Sequence, residues 1–337
     1  MKYAACYQCR ANQPTLPNRQ RGVALITAVL VVAIATIIAT SMMSRQNFDT
    51  QRTANIIHRD QAIAYALGAE HWAEVELIKD AQRNNYDHLK EGWAYDLPPL
   101  PIDGGHISGK LQDLQGRFNL NSVLDPLQAE RFTRLCQAIN VEPDFISALQ
   151  DWIDSDTEVR DNGAEDESYT LMDPPYRAAN RFLADTSELL LVKGVSLQDY
   201  NNLTFYISAL PGNSDINVNT ASPQLLQSLT RDVTLPGVEG IIALRVNKPY
   251  QDIDVFLKDE AFAEKEISED YLTVSSQYFL LTADVMLGNA PLTLQSVLRR
   301  TPEGKISVIQ RRFGPSREQI LMQTDNKLET AKQNVRS

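Results

Sequence analysis

The stretch RQRGVALITAVLVVAIATIIATSMMSR, Arg19 to Arg45, decides the fold. From Gly22 to Ser44 it holds no charged side chain and is mostly Val, Ala, Ile, Leu and Thr. As a helix rising about 1.5 Å per residue, these roughly 23 residues span about the hydrocarbon core of a bilayer. A secretory signal peptide would stop after an apolar region of roughly 7–15 residues at a small-x-small cleavage site. This run is longer and continues without a break into RQNFDTQRTANIIHRDQAIAYALGAEHWAEVELIKDAQ.

In that continuation Ala54, Ile57, Ala62, Ala64, Ala66, Leu67, Ala69, Trp72, Ala73, Val75, Leu77 and Ile78 recur mostly at three- and four-residue steps with charges between them. That spacing builds one apolar helix face. No Pro occurs from Val23 to Ala81, and Gly68 is the only Gly. The simplest structure is one helix of more than fifty residues ending near Asn84. Residues 23–43 would lie in a membrane, and residues 44–84 would pack on a soluble domain.

Of 337 residues, 43% are apolar, enough for a real core. The formal charge is -11, which disfavours general nucleic-acid binding because no net counterion release would drive it. Residues 1–22 hold Lys2, Arg10, Arg19 and Arg21 and no acid, leaving 28 basic against 43 acidic side chains in the remainder. This asymmetry places the N-terminus in the cytoplasm. Cys6-x-x-Cys9 lacks two further ligands for a zinc site and reads as incidental, and Cys136 would be alone once a leader is lost.

A basic leader ending in Gly immediately before an apolar helix resembles the type IV pilin and pseudopilin superfamily. The resemblance implies a leader over residues 1–22, a prepilin peptidase cutting between Gly22 and Val23, methylation of Val23, and an anchor left in the inner membrane with the main domain periplasmic. Pilins usually carry Glu at the fifth mature position; here that position is Thr27. An unpaired carboxylate in lipid costs several kcal/mol, so a subunit with no neighbour above it gains by lacking one. Thr27 therefore suggests the tip of a filament, and resemblance to the K-type minor pseudopilin family of type II secretion systems. The alternative is an ordinary single-pass anchor.

Beyond the helix, residues 85–105 are rich in Pro and Gly and read as a loop. Short alternating strands are expected at 105–120, with a turn at Gly116, and at 272–313, with a hairpin over TPEG. Between them, residues 125–266 are helical in pattern, with starts at Asp125-Pro126, Glu142-Pro143, Thr186 with Glu188, and Ser222-Pro223. The expected fold is α+β: a pilin-like long helix on a small antiparallel sheet, formed by residues 85–124 and 267–315, with a large α-helical insertion over 125–266. The same insertion is implied by the family resemblance. Residues 316–337 read as a flexible tail.

DWIDSDTEVRDNGAEDESY holds eight carboxylates from Asp151 to Glu167, offset only by Arg160. Charges this dense repel unless a cation joins them or they point into water. Val159 stands where an EF-hand needs Gly, so the loop is not an EF-hand. A turn at Gly163 could fold Glu165 and Asp166 toward Asp154 and Asp156. From composition, a solvated acidic loop and a calcium site are both open. DWIDSD, GAEDESY and AAN resemble the K-type block, which implies calcium, with Asp154, Asp156, Glu165 and Asp166 the expected ligands.

No nucleophile, phosphate-loop or zinc-protease motif is present, and the four histidines His58, His71, His88 and His106 lie in or near the helix and first strand, so catalysis is not expected. Residues 216–257, from INVNTA through LPGV to ALR, resemble a helix-hairpin-helix module, which makes a membrane-anchored DNA-binding protein the alternative function. Pro236-Gly237 reads equally as a turn between packed helices. The family resemblance implies a non-enzymatic tip subunit that initiates or caps a pseudopilus. Its implied partners are the I- and J-type minor pseudopilins, the major pseudopilin, secreted substrates and the outer-membrane secretin, with no nucleic acid.

Overall fold

The computed structural model describes residues 20–322 apart from 260, 264, 266, 289 and 316. Most of the expected leader, with Cys6 and Cys9, and residues 323–337 of the expected tail lie outside the described residues. In chain order the first elements are α1 (Gln20–Ala81), β1 (Leu97–Ile102), β2 (Gly105–Asp113) and β3 (Phe118–Asn119). Next come α2 (Pro126–Ala138), α3 (Ile146–Ile153), α4 (Asp166–Thr170), α5 (Leu197–Leu203), β4 (Ile207–Ser208) and β5 (Ile216–Asn217). The chain continues with α6 (Pro223–Gln227), α7 (Leu235–Asn247), α8 (Ile253–Leu257) and β6 (Leu272–Thr273). It closes with β7 (Tyr278–Leu287), β8 (Ala290–Arg300) and β9 (Ile306–Phe313).

The chain divides into two units after His58. The first contains the apolar stretch of α1, whose mean hydropathy reaches 2.7 with none of that window buried, so this helix is long and apolar enough to cross a membrane. Its hydroxyls are satisfied within the helix. Thr27 Oγ1 donates to the carbonyls of Val23 and Ala24 at 3.1 and 3.0 Å, and Thr36, Thr40 and Ser41 turn back in the same way. Such back-bonding is how a helix carries hydroxyls where no water is available.

In the second unit, β1-β2-β7-β8-β9 form an antiparallel sheet in that order. Ala62, Ala66, Ala69, Ala73 and Leu77 of α1 are buried against it, meeting Ile107 and Leu111 of β2, alternate residues of β7 from Phe279 to Leu287, and Leu294 and Leu298 of β8. Four alanines on one face let the helix backbone approach the sheet closely, while the period of two along β7 turns every second side chain to it. Polar side chains also sit in this interface. The buried Glu70 carboxylate accepts from Ser296 Oγ at 2.6 Å and from Arg311 at 2.7 and 2.8 Å, and this pairing holds its pKa below the usual value.

Residues 114–277, between β2 and β7, carry a separate core built on Phe118, Phe132, Leu135, Leu149, Trp152, Leu225, Leu226 and Phe256. Asp125 caps α2 through the amides of Leu127 and Gln128, as its Asp-Pro sequence suggests, and Ser222 caps α6. Buried polar side chains tie distant loops together. Arg131 donates to the Asp270 and Ser268 carbonyls, and Asn121 bridges Leu183 and Leu210.

Several expectations are corrected. Residues 97–102, LPPLPI, are not loop but the edge strand β1: Pro cannot donate to a ladder, and an outer edge does not require it to. Phe118 and Asn119 do not extend the sheet; they pair in parallel with Ile207 and Ser208, and Phe118 stacks on Phe132 at 4.7 Å in the helical region's core. Leu272 and Thr273 likewise pair with Ile216 and Asn217, so the second part of the sheet begins at Tyr278. The turn at 186 is capped by Asp185 rather than Thr186 and is 3-10, with Glu188 completing a capping box. Residues 317–322 are helical, not a flexible tail, because Glu318 accepts from Arg117 at 2.9 Å and Arg317 donates to Asn201 at 2.9 Å.

Ala66→Leu is expected to destabilise the protein by about 1–3 kcal/mol through overpacking of the helix on the sheet. Ala64→Leu, on the exposed side of the helix, should leave stability unchanged. Thermal unfolding of the full chain in detergent micelles measures both.

Candidate metal centre

Helix α3 ends at Ile153, and the acidic loop leaves it with Asp154 in an extended conformation. Asp151 and Asp154 are three residues apart and so leave one side of the helix end together. Asp151 is fully buried: its Oδ2 accepts from the amides of Ala164 at 2.8 Å and Arg160 at 3.2 Å, and its Oδ1 accepts from Arg160 Nη1 at 2.7 Å. The returning chain passes so close that a Cβ on Gly163 would fall 1.9 Å from Asp151 Oδ2. Gly163 is therefore the position where the loop closes, and Asp151 is the post it closes around.

This closure brings Asp154, Asp156 and Glu165 together, with one carboxylate oxygen from each lying within 4.8 Å of the others. Arg160 also contacts Asp154, making it the only cation bound to these acids among the described residues. The balance is incomplete. Both oxygens of Glu165 and Oδ1 of Asp154 are buried with no hydrogen-bond partner. Burial, followed by repulsion from Asp151, Asp154, Asp156 and Asp166, pushes the Glu165 carboxyl up to about 6. Three unpartnered hard oxygens in an acidic pocket are the donor chemistry that a calcium ion takes, so the residues present fit that ion.

Of the four expected ligands, Asp166 is not in the group: its Oδ1 accepts from Ala178 N at 2.9 Å, and its Oδ2 faces Arg177 at 3.8 Å. Two contributors were missed. Asp151 was among the eight acids but not among the expected four; its spacing from Asp154 was the available signal. Asn180 donates weakly to the Asp156 carbonyl at 3.4 Å and leaves its buried Oδ1 without a partner. It lies 24 residues away in sequence, in a left-handed conformation at φ 45°, with only the AAN string to mark it.

Among the described residues, the helix-hairpin-helix-like stretch over 216–257 is bonded into the protein's own fold. Pro236 and Gly237 do not form a hairpin turn; they lie in the first turn of α7. Arg245 is buried and donates at 2.6 Å to the carbonyls of Val218 and Ala221, while Arg231 pairs with Glu130, so two of the three basic side chains near this motif are engaged within the protein. INVNTA is itself structural: the Asn219 side chain donates to the Tyr250 carbonyl and accepts from the Tyr250 amide, both at 2.8 Å, and Asn217 reaches Asp113 and Ser276. Burial pushes the Cys136 thiol up to about 12, which leaves it a poor nucleophile.

A long helix whose second part lies on an antiparallel sheet, with a helical region and an acidic loop set between β2 and β7, defines a pilin-like α+β subunit. Residues 116–212 and 216–275 both match the family described as Type II secretion system (T2SS), protein K. A Pseudomonas aeruginosa protein named Type II secretion system protein K is 36% identical over 312 residues, covering 88% of this chain and 93% of that one. A Klebsiella pneumoniae protein of the same name is 33% identical over 319 residues, covering 88% and 97%. A chain in the crystal structure of the GspK-GspI-GspJ complex from the enterotoxigenic Escherichia coli Type 2 Secretion System matches with a TM-score of 0.72 and 28% identity. That match covers 79% of this chain and all of that one. The chain belongs to the type II secretion system protein K family, and is a minor pseudopilin component of protein secretion.

Gly163→Ala is expected to destabilise the protein by more than about 1 kcal/mol, since a methyl group cannot share space with the buried Asp151 carboxylate. Loop opening should also change the emission of Trp152, whose ring meets Tyr169 at 5.0 Å beneath the loop.

Proposed function

We propose that this chain is the tip subunit of a type II secretion pseudopilus, anchored in the inner membrane by residues 23–43 with its main domain in the periplasm. The observation that carries the tip position is Thr27. A neutral side chain there, hydrogen-bonded to its own helix, presents no charge for a subunit above to neutralise. The helical region of residues 114–277 supports the same position, because a wide head would obstruct subunits stacked over it. Its assembly partners would be minor pseudopilins of the I and J type, by likeness to the GspK-GspI-GspJ complex, with the major pseudopilin below. Initiation or capping of the filament, and contact with secreted proteins and the outer-membrane secretin, follow from that position. No enzymatic step is part of this role.

The precursor would be cut by prepilin peptidase between Gly22 and Val23 and methylated on Val23. Mass spectrometry of the mature protein from its own host is the test: an N-terminus at methylated Val23 supports the reading, and an intact leader sinks it in favour of a plain membrane anchor.

Asp154, Asp156 and Glu165 would hold a calcium ion, with Asn180 Oδ1 as a further oxygen and Asp151 holding the loop in place. The ion would neutralise the acids and clamp the loop to the end of α3, a structural role. Ion binding to the folded state alone stabilises by about 2.7 kcal/mol at a hundredfold excess over Kd. Calcium is therefore expected to raise the melting temperature of the wild-type protein and to leave Glu165→Gln unmoved. The effect should weaken as pH falls below about 6, because a protonated Glu165 cannot ligate. A rise of equal size in Glu165→Gln would remove Glu165 from the ligand set.

A further inference from the structure

A second acidic cluster lies far from the first, where the end of α1 meets the sheet. Asp80 of α1, Asp87 and Glu91 of the following loop, and Asp113 of β2 are all buried. Carboxylate oxygens of Asp80, Asp87 and Glu91 lie within 4.8 Å of one another. A single guanidinium serves them. Arg300, the last residue of β8, donates to Asp80 at 3.1 Å, to both oxygens of Asp87 at 2.6 and 2.5 Å, and to the Ser276 carbonyl at 2.8 Å. Arg300 is itself buried, over the ring of Phe279 at 5.0 Å.

The remaining partners are neutral. Ser276 donates its amide to Asp87 at 2.6 Å and its hydroxyl to Asp113 at 2.6 Å, and Thr220 donates to Asp113 at 2.5 Å. Asn217 joins the two acids through one amide group, reaching the Asp87 carbonyl at 3.2 Å and Asp113 Oδ2 at 3.1 Å. Trp93 and Asn84 donate to Glu91 at 2.8 and 2.9 Å. His88 stands 3.8 Å from Glu91, and Arg83 and Glu76 flank Gly92 at the rim. Four acids therefore face one permanent cation inside the fold. Like charges this close in a desolvated site cannot all stay ionised.

We propose that Asp80 and Asp87 share a bound proton against Arg300, and that this proton makes the junction a pH-sensitive latch which tightens as the surroundings acidify. The three parts it fastens are the end of the long helix, the sheet and the helical region. Desolvation first, then repulsion from Glu91 and Asp87, pushes the Asp80 carboxyl up to about 7, and burial pushes Asp113 up to about 6. The sign follows from linkage. A carboxyl whose folded value is raised above its unfolded 3.8 weakens the fold when ionised, and that penalty is relieved as pH falls from about 7 toward 4. The latch thus gains strength on acidification, opposite to the Glu70–Arg311 pair, whose contribution is lost only as pH falls through a lowered value.

The test is hydrogen exchange of the full mature chain in detergent micelles, corrected for intrinsic rates, at residues 84–94. In the wild type, protection is expected to rise by about tenfold or more between about pH 8 and about pH 5.5. Asp80→Asn should show high protection already at about pH 8, with a flattened profile, while Glu165→Gln keeps the wild-type slope. An unchanged slope in Asp80→Asn overturns the proposal. If that variant does not fold, the wild-type profile still decides, since protection that is flat or falls on acidification overturns it equally.

Discussion

The buried contact between Arg300 and Asp87 is the constraint on which the soluble unit depends. Through it, the last residue of β8 reaches the loop that follows α1, and the same guanidinium takes the carbonyl of Ser276, where the chain returns from the helical region. Asn217 adds the third direction by linking that loop to Asp113 of β2. Breaking a buried pair from one side strands the other charge in low dielectric, which is worth several kcal/mol, so the three parts are held in one register. The alanine face of α1 can then be narrow, because its position along the sheet is set by polar contacts: Glu70 with Arg311 and Ser296 at one level, Asp80 with Arg300 at another.

Inserting a large helical region into a sheet is tolerable when both of its ends leave from one place. Here the chain departs after Asp113 and returns at Ser276, and the hydroxyl of Ser276 donates to Asp113 at 2.6 Å. The insertion is closed at its root by its own termini, and INVNTA stands at that root through Asn217 and Thr220. A string that reads like part of a nucleic-acid module is therefore kept for a structural reason. Fold and ligand are separable, and in this chain polar groups of the motif are directed at backbone and side chains within the protein.

The parts legible in the sequence were those set by local periodicity. The long helix follows from an uncharged run continued by Ala62, Ala66, Ala69 and Ala73, and the caps at Asp125 and Ser222 follow from their Asp-Pro and Ser-Pro pairs. What failed depended on partners distant in sequence. Leu97–Ile102 has three prolines and looks like loop until a free sheet edge accepts it. Phe118 alternates as though it continued β2, yet its partner is Ile207. In the acidic loop, composition marks the eight carboxylates but not which of them turn inward. Asp166 finds the Ala178 amide, and Asp151 takes the buried place because Gly163 lets the chain pass over it.

The two acidic clusters resolve one electrostatic problem in opposite ways, and the difference lies in their arginines. Arg300 is fixed on a strand, nearly buried, stacked on Phe279 and bonded to a backbone carbonyl, so removing it from its acids would strand a charge inside the fold. A proton on one of those acids would relieve the remaining repulsion with the guanidinium still in place. Arg160 sits on a loop with 37% of its side chain exposed, close enough to water that it can swing outward at little desolvation cost. It balances Asp151 and Asp154 but leaves Glu165 unpartnered. A divalent ion would bring more charge to the same acids and take the oxygens that a guanidinium, with its donors in one plane, does not reach. The exposure of the arginine, as much as the number of carboxylates, distinguishes the two clusters.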